Sequence, residues 1–171
     1  MKLYVGTYKK YNEGSLKGKW LDLDDYNDKD EFLEACQELH KDEKDPELMF
    51  QDMEYEYEWE KKLYAESCIP EEYWEIKNEL ARLDVDDEIF DAWLTNTCDN
   101  PTAEDVKTCR EQYIGKYDSE ADFAEQWYTD IGDPLMKSHL SRYINWDDVY
   151  QAEFSFDGFW NDNDYFFDSH R

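Results

Sequence analysis

The sequence has 171 residues, of which 45 are acidic and 18 basic, giving a formal net charge of −27. Such a charge excess is common in disordered chains, but aromatic residues make up 18% of this one and supply large side chains for a folded core. The sequence contains no run of about 18 apolar residues, so no membrane span is predicted. The first residues also lack the apolar segment of a signal peptide, so the cytoplasm is the expected compartment.

The first predicted elements form a small sheet with one helix. KLYVGTY (2–8) alternates like a strand, and KWLDL (19–23) alternates again after a glycine-containing turn, so the two are predicted to pair. DKDEFLEACQELHKDE (28–43) has the apolar spacing of a helix. ELMFQDMEYEYEW (47–59) is predicted to be the third strand.

The stretch FQDMEYEYEWEKK (50–62) alternates carboxylates with large apolar side chains. A period of two is that of an extended strand, so the acids are predicted to face solvent and the apolar groups to face the core. The acids of this ladder are Glu54, Glu56, Glu58 and Glu60, and the apolar residues are Met53, Tyr55, Tyr57 and Trp59.

The middle of the chain is predicted to be helical. Pro70 suits the first position of one helix, and Asp84 is predicted to start a second one. Asn100 and Pro101 then interrupt the pattern. The buried faces are expected to carry Tyr73, Ile76, Leu80 and Leu83 in the first helix, and Ile89, Phe90, Trp93 and Leu94 in the second.

The remaining residues predict helices mixed with short strands. Thr102 is a helix N-cap, residues 113–117 are short and extended, and Ser119 opens another helix. A further helix is predicted to begin at Pro134, and the aromatic, turn-rich residues 154–169 are predicted to form short strands. The inward side chains of the helix after Ser119 are expected to be Phe123, Trp127 and Ile131.

Together these elements predict an α+β protein of three small subdomains. Residues 1–57 would form a three-stranded antiparallel sheet with one helix, residues 58–101 a helical domain, and residues 102–171 a C-terminal α+β domain. The four cysteines lack a C-x-x-C motif and are predicted to be reduced and mostly buried thiols.

Acidic residues recur four positions apart on the predicted helices. Like charges at this spacing share a helix face and cost a few tenths of a kcal/mol each. Within the predicted helices, only Asp133 and Lys137 form an acid-to-base pair at the same spacing. The negative surface is therefore predicted to serve binding. Its predicted members are Asp30, Glu34, Glu38, Glu54, Glu56, Glu58, Glu75, Glu79, Asp87, Asp91, Asp118, Asp122 and Glu125.

The amount of charge resembles that of DNA. Duplex DNA carries one charge per roughly 1.7 Å of axis, so a net charge of −27 corresponds to about 46 Å of duplex. A compact chain of this length has a radius of gyration of ~16 Å, hence a diameter of roughly 40 Å. A protein groove that is built for phosphates would therefore accept this one.

The sequence does not predict a catalytic, metal or cofactor site. His40, His139 and His170 are isolated, and there is no phosphate-binding loop or nucleophile elbow. Residues 22–30 lack the glycine and the final glutamate of a calcium loop. Nucleic-acid binding is disfavoured because only residues 1–20 are basic. Those lysines are expected to hold neighbouring acids or to steer orientation.

Two other functions are compatible with the composition. One is an acidic adaptor or chaperone for basic proteins such as DNA-binding factors. The other is a small carbohydrate-active hydrolase that uses aromatic platforms and a carboxylate pair. With 45 acidic residues, however, chance pairs of carboxylates are certain to occur.

Three stretches resemble the ArdA family of antirestriction proteins: YVGTYKKYNEGSLKGKWLDLDDYNDKDEF (4–32), ELHKDEKDPELMFQD (38–52) and YIGKYDSEADFAEQ (113–126). The tail, residues 143–169, resembles the family more loosely. The resemblance implies a DNA mimic encoded by mobile elements that occupies the DNA-binding groove of type I restriction–modification enzymes. It also implies an elongated homodimer of three-part subunits joined through their C-terminal parts, with no catalytic residues.

Overall fold

Helices and strands are mixed along the chain, which confirms the predicted α+β class. The computed structural model describes all residues, Met1–Arg171, and contains eight α-helices and two three-stranded antiparallel sheets. The chain divides into an N-terminal unit, Met1–Lys107, and a C-terminal unit, Thr108–Arg171. The division into three subdomains stays a prediction.

The sheet of the N-terminal unit has the strand order β2-β1-β3. The strands are β1 (Lys2–Thr7), β2 (Lys19–Asp22) and β3 (Leu48–Glu54). Alternation along β1 sends Leu3 and Val5 into the core, where both are fully buried. The first two predicted strands are therefore confirmed.

A register shift between β1 and β3 produces a bulge close to Gly6. Tyr4 pairs with Asp52 but Val5 pairs with Phe50, so Gln51 is the extra residue of a bulge. A Cβ on Gly6 would lie 2.3 Å from Nε2 of Gln51. A side chain at position 6 would therefore have to displace the Gln51 amide.

Two helices belong to the N-terminal sheet. Helix α1 (Tyr8–Asn12) follows β1 directly, and α2 (Lys29–Leu39) lies between β2 and β3 in the chain. The Asp28 side chain caps α2 by accepting a hydrogen bond from the backbone N–H of Glu31 at 2.8 Å. Phe32 of α2 is fully buried, and its ring centroid lies 5.9 Å from that of Phe50, so α2 covers one face of the sheet.

The predicted third strand is too long. Strand β3 ends at Glu54, and Glu58–Lys62 forms the short helix α3. The indole of Trp59 is fully buried and stacks on the Tyr73 ring at 5.6 Å. Burying this ring against a distant helix outweighs the local period-two pattern, so the ladder of four solvent-facing acids does not form.

The two central helices are confirmed, with one boundary corrected. They are α4 (Glu72–Leu83) and α5 (Asp87–Leu94). Asp84 does not start α5; it ends α4 in the left-handed conformation, with φ of 55°. The C-terminal end of α4 is closed there by the N–H of Val85, which donates to the carbonyl of Leu80 at 3.0 Å. The buried side chains of this pair of helices are Tyr73, Trp74, Ile76, Leu80, Ile89, Phe90, Ala92, Trp93 and Leu94.

The boundary between the two units falls inside helix α6 (Ala103–Gln112). The second sheet has the order β4-β6-β5. Its strands are β4 (Tyr113–Lys116), β5 (Phe159–Asp162) and β6 (Tyr165–Asp168), and its helices are α7 (Glu120–Asp130) and α8 (Trp146–Glu153). The short strands predicted at the C-terminus are thus confirmed.

Aromatic side chains fill the core of the C-terminal unit. The ring of Phe123 stacks on Phe166 with centroids 4.7 Å apart and meets Phe154 edge-on at 5.1 Å. Two predictions fail here. Ile131 is 61% exposed because α7 ends before it, and the helix predicted from Pro134 is only a short 3₁₀ segment, Pro134–Lys137.

Candidate functional site

The carboxylates far outnumber the cations that could neutralise them. With 45 acidic and 18 basic residues, one-to-one pairing leaves at least 45 − 18 = 27 carboxylates without a Lys or Arg partner. Charged groups that are not paired stay at the surface because burying them costs several kcal/mol. The surface itself is therefore the candidate site.

Ten of the thirteen side chains predicted to form the negative surface are exposed. In the N-terminal unit they lie on α2, at the end of β3, in the turn that follows, and on α3 and α4. In the C-terminal unit they lie before and along α7. The exposed members are Asp30, Glu34, Glu38, Glu54, Glu56, Glu58, Glu75, Asp118, Asp122 and Glu125.

The other three predicted residues are partly buried and have internal partners. Glu79 is held by the guanidinium of Arg82, which lowers the pKa of Glu79. Burial raises the pKa of Asp87, although the ammonium of Lys77 lies 3.5 Å away and opposes this effect.

Asp91 has a structural contact of a different kind. Its Oδ1 accepts a hydrogen bond from the backbone N–H of Trp59 at 2.9 Å. This bond ties α5 to the start of α3. Asp91 is thus tied into the fold in the same way as Glu79 and Asp87, and these three are weaker candidates for external contacts than the ten exposed residues.

Ion pairs at a spacing of three residues add to the pair predicted at a spacing of four. Each of four acids on the helices has a cation three positions later. The pairs are Glu38 with Lys41, Glu58 with Lys61, Glu79 with Arg82 and Glu104 with Lys107. The three pairs other than Glu79–Arg82 are exposed and contribute about 0–1 kcal/mol each, so an outside partner can readily replace them.

Glu60 is the member of the acidic ladder that does not reach solvent. It is buried, and its Oε1 pairs with the N-terminal ammonium of Met1 at 2.9 Å. Its other oxygen accepts the backbone N–H groups of Glu56 at 2.8 Å and Tyr57 at 3.3 Å. Glu60 therefore joins β1 to α3 and has a structural role.

Three of the predicted carboxylates in the C-terminal unit come together around one cavity. Asp118, Asp122 and Glu125 line a depression of about 560 Å³ beside Lys116. The hydroxyl of Ser119 accepts the backbone N–H of Asp122 at 3.1 Å and caps α7, which fixes this arrangement. The capped start of α7 thus holds these three negative charges in a fixed arrangement.

Part of the basic N-terminal segment is used internally, as the sequence predicts. The ammonium of Lys10 lies 2.8 Å from Asp42 and 3.1 Å from Glu43. Lys17 pairs with Asp42 at 2.9 Å. Burial opposes the charge on Lys10, but the hydrogen bonds to the two carboxylates outweigh it and raise the pKa of Lys10.

The same cluster contains a buried histidine that the sequence did not reveal. Nδ1 of His40 lies 2.9 Å from the Lys10 ammonium, and Nε2 lies 3.2 Å from the carbonyl of Val5. An ammonium can only donate and a carbonyl can only accept, so the ring is the neutral tautomer with its proton on Nε2. Burial lowers the pKa of His40 and keeps it neutral.

The structure brings together no group of three or more His, Cys, Asp or Glu side chains that could hold a metal ion. The four cysteines are free thiols, and two of them, Cys36 and Cys109, are buried. Burial raises the pKa of each of these two thiols to about 12, which keeps them protonated and unreactive. No helix combines the length and apolar character that a membrane span requires.

The fold and surface define a small α+β protein whose outstanding chemical feature is a large excess of exposed carboxylates. A family model described as antirestriction protein (ArdA) matches residues 3–167 of this chain. The chain therefore belongs to the ArdA family of antirestriction proteins. No curated protein matches it significantly.

Proposed function

We propose that this antirestriction protein inhibits type I restriction–modification enzymes by occupying their DNA-binding groove. Its exposed carboxylates would take the places of DNA phosphates, and Lys and Arg side chains of the groove would be their partners. The protein would act as a binding inhibitor rather than as an enzyme. The observation that carries the proposal is the surplus of at least 27 carboxylates, 45 − 18 from the composition, on a chain of the ArdA family.

The placement of the exposed acids supports this mechanism. Asp30, Glu34 and Glu38 follow one another by single turns along α2, and all three are exposed. Successive positions four apart rise by about 6 Å along a helix, so the three acids place their charges along about 12 Å of one helix face. A row of this kind presents regularly spaced negative charges to a groove that binds phosphates.

We also propose that the protein acts as a homodimer joined through the C-terminal unit. The support is the number of large apolar side chains that this unit exposes, including Phe156 at 92% and Tyr143 at 74%. A groove of about 330 Å³ lined by Leu135, Ile144 and Val149 adds to this apolar surface. Surfaces of this character are typical of protein–protein contacts.

A competition assay with matched variants tests the proposed inhibition. One variant neutralises a row on α2, with Asp30→Asn, Glu34→Gln and Glu38→Gln. The control neutralises three exposed acids outside the predicted surface, with Asp147→Asn, Glu153→Gln and Asp157→Asn. Both variants lose the same charge, so they separate position from net charge.

The wild-type protein is expected to displace DNA from a type I methyltransferase core, and excess DNA is expected to displace the protein. The α2 variant should compete several-fold less well than the control variant. Binding energy spread over many charges predicts that single substitutions have little effect. Failure of the wild-type protein to compete would contradict the proposal, and binding to basic proteins without regard to their DNA groove would favour an acidic adaptor.

A further inference from the structure

One face of the N-terminal sheet is covered by α2, and the opposite face carries an aromatic pair, a half-buried tyrosine and an exposed tryptophan. Tyr4 lies directly across from Trp20 in the β1–β2 ladder. Their ring centroids are 5.4 Å apart in an edge-to-face arrangement. Trp20 is 37% exposed, so part of its indole is open to a partner.

The aromatic pair is held in place by the loop before β2. The hydroxyl of Tyr4 donates a hydrogen bond to the carbonyl of Leu16 at 2.9 Å. A Cβ on Gly18 would lie 2.8 Å from Cε1 of Tyr4 and 2.5 Å from the carbonyl oxygen of Val5. The close approach that glycine permits fixes the Tyr4 ring, and the ring in turn orients Trp20.

Three carboxylates share the face of Trp20. The register places Asp52 opposite Tyr4, and it places Asp22 and Glu54 on either side of Lys2. Cross-strand neighbours and residues two apart on a strand point to the same side. The charged groups of the face are therefore three carboxylates and one ammonium, an excess of two negative charges.

The acidic side of this face continues into a depression of about 320 Å³. Asp22, Asp24, Glu54 and Glu56 all line it. Asp24 also accepts a hydrogen bond from the hydroxyl of Tyr73 at 2.8 Å, which fixes its position. Lys2 lines the depression too, and Asp22 and Glu54 belong both to it and to the face that carries Trp20.

We propose that this open face, defined by Tyr4, Trp20, Asp22, Asp52 and Glu54, binds arginine side chains of a basic partner protein. The identity of that partner rests on the proposed function, in which the arginines belong to the DNA-binding groove. A guanidinium stacks on the indole of Trp20, and its N–H groups pair with the neighbouring carboxylates.

Arginine fits this face better than lysine for two reasons. The guanidinium is planar and weakly hydrated, so it stacks on an aromatic ring while its edge stays free to donate hydrogen bonds. Its parallel N–H groups also match the two oxygens of a carboxylate. Tryptophan is the best aromatic partner for such a cation. The face therefore adds arginine selectivity to a surface that otherwise attracts any cation.

The test uses the ¹⁵N-labelled full chain and two peptides of equal charge, hexa-arginine and hexalysine. The indole N–H signal of Trp20 is assigned by its absence in Trp20→Phe. Hexa-arginine is expected to shift this signal more than hexalysine at the same ionic strength. Trp20→Ala should weaken hexa-arginine binding between about twofold and fivefold and leave hexalysine binding unchanged.

Tyr11→Ala is the matched control because it removes an exposed aromatic ring of the N-terminal unit that lies on α1 and not on this face. It should leave both affinities unchanged, and Trp20→Phe should retain most of the arginine preference. Equal responses of Trp20 to the two peptides, or no response, would overturn the proposal. The DNA competition assay separates it from the proposed function, because the peptide experiment contains no restriction enzyme.

Discussion

The two units of this protein have the same acidic kind of surface, but different buried contacts stabilise the interior of each unit. The N-terminal unit buries charged and titratable groups, namely Lys10, His40 and Glu60, each with a partner from a distant part of the chain. The C-terminal unit buries one charged side chain, Asp168, beside the nearby Arg171, but its core cluster consists mainly of aromatic rings. The buried members of this cluster are Phe123, Ala124, Tyr150, Phe154 and Phe166.

This difference shows two ways of stabilising a fold that carries excess negative charge. Apolar packing is indifferent to the protonation state of the surface, so the C-terminal core should tolerate changes in pH. Buried ion pairs join particular elements to one another, but they fail when one partner changes its charge. The N-terminal unit should therefore be the pH-sensitive half.

The largest effect is expected from emptying the aromatic core of the C-terminal unit. Phe123→Ala removes a fully buried ring that stacks on Phe166 at 4.7 Å. The free energy of unfolding should fall by about 3–5 kcal/mol, as measured by urea denaturation. Tyr11→Ala is the control, since that ring is 50% exposed on α1 and its loss should change stability by less than about 0.5 kcal/mol. Similar values for the two variants would contradict the described core.

The next largest effect concerns the buried carboxylate of the N-terminal unit. Glu60→Gln keeps the size of the side chain but leaves the Met1 ammonium buried without its counter-charge. The free energy of unfolding should fall by about 3 kcal/mol in the same assay. Glu58→Gln, two residues earlier and exposed, should cost less than about 1 kcal/mol. Equal costs would mean that Glu60 is solvated.

A smaller effect with a distinctive pH dependence is expected from His40. Its pKa is lowered by burial from 6.5, so the unfolded chain binds a proton at this residue more readily than the folded chain. Stability from neutral His40 is thus present above about pH 6.5 and is lost as the pH falls below it. Asp42 and Glu43 have lowered pKa values, so their contributions are lost only at more acidic pH.

The measurement is the free energy of unfolding between about pH 7 and pH 5, where the carboxylates of model peptides remain mostly ionised. The wild-type protein should lose stability over this range, and His40→Gln should remove most of the slope even if it lowers stability throughout. His139→Gln is the control and should keep the slope. A slope that survives in His40→Gln would show that the titrating group lies elsewhere.

The smallest expected effect is that of salt on stability. Self-repulsion among the surplus carboxylates destabilises the folded state, and added salt screens it over about 10 Å at ~0.1 M. The midpoint of thermal unfolding should rise by a few degrees between very low and moderate ionic strength. An unchanged midpoint would mean that the carboxylates are neutralised within the protein.

The sequence predicted those parts of the fold that depend on hydrogen bonds between residues close in the chain, such as helix caps. Asp28 and Ser119 each accept a backbone N–H three residues later, and the helices after them begin where predicted. The path after Glu54 could not be predicted, because the partners of Trp59 and Glu60 lie far along the chain. Helix α8 has a local signal in the sequence, the buried aromatic residues Tyr150 and Phe154 four positions apart, although no helix was predicted there.

The same distinction applies to the candidate site. Exposure of most predicted acids followed from their helical spacing, since they lie opposite the apolar stripe. The partner of Glu79 was foreseeable, because Arg82 is only three residues away. The bond between Asp91 and the N–H of Trp59 spans 32 positions, and that between Lys10 and His40 spans 30, so no local pattern announces them.

Mimicry of DNA is tested most directly by the salt dependence of binding. The affinity of the protein for a type I methyltransferase core should fall steeply with salt, because the groove releases its bound anions and the protein releases its cations. DNA binding to the same core should fall with a similar slope, since each phosphate contact contributes about −0.9 to the slope of log K against log salt. A nearly flat dependence for the protein, beside a steep one for DNA, would contradict the proposed exchange of carboxylates for phosphates.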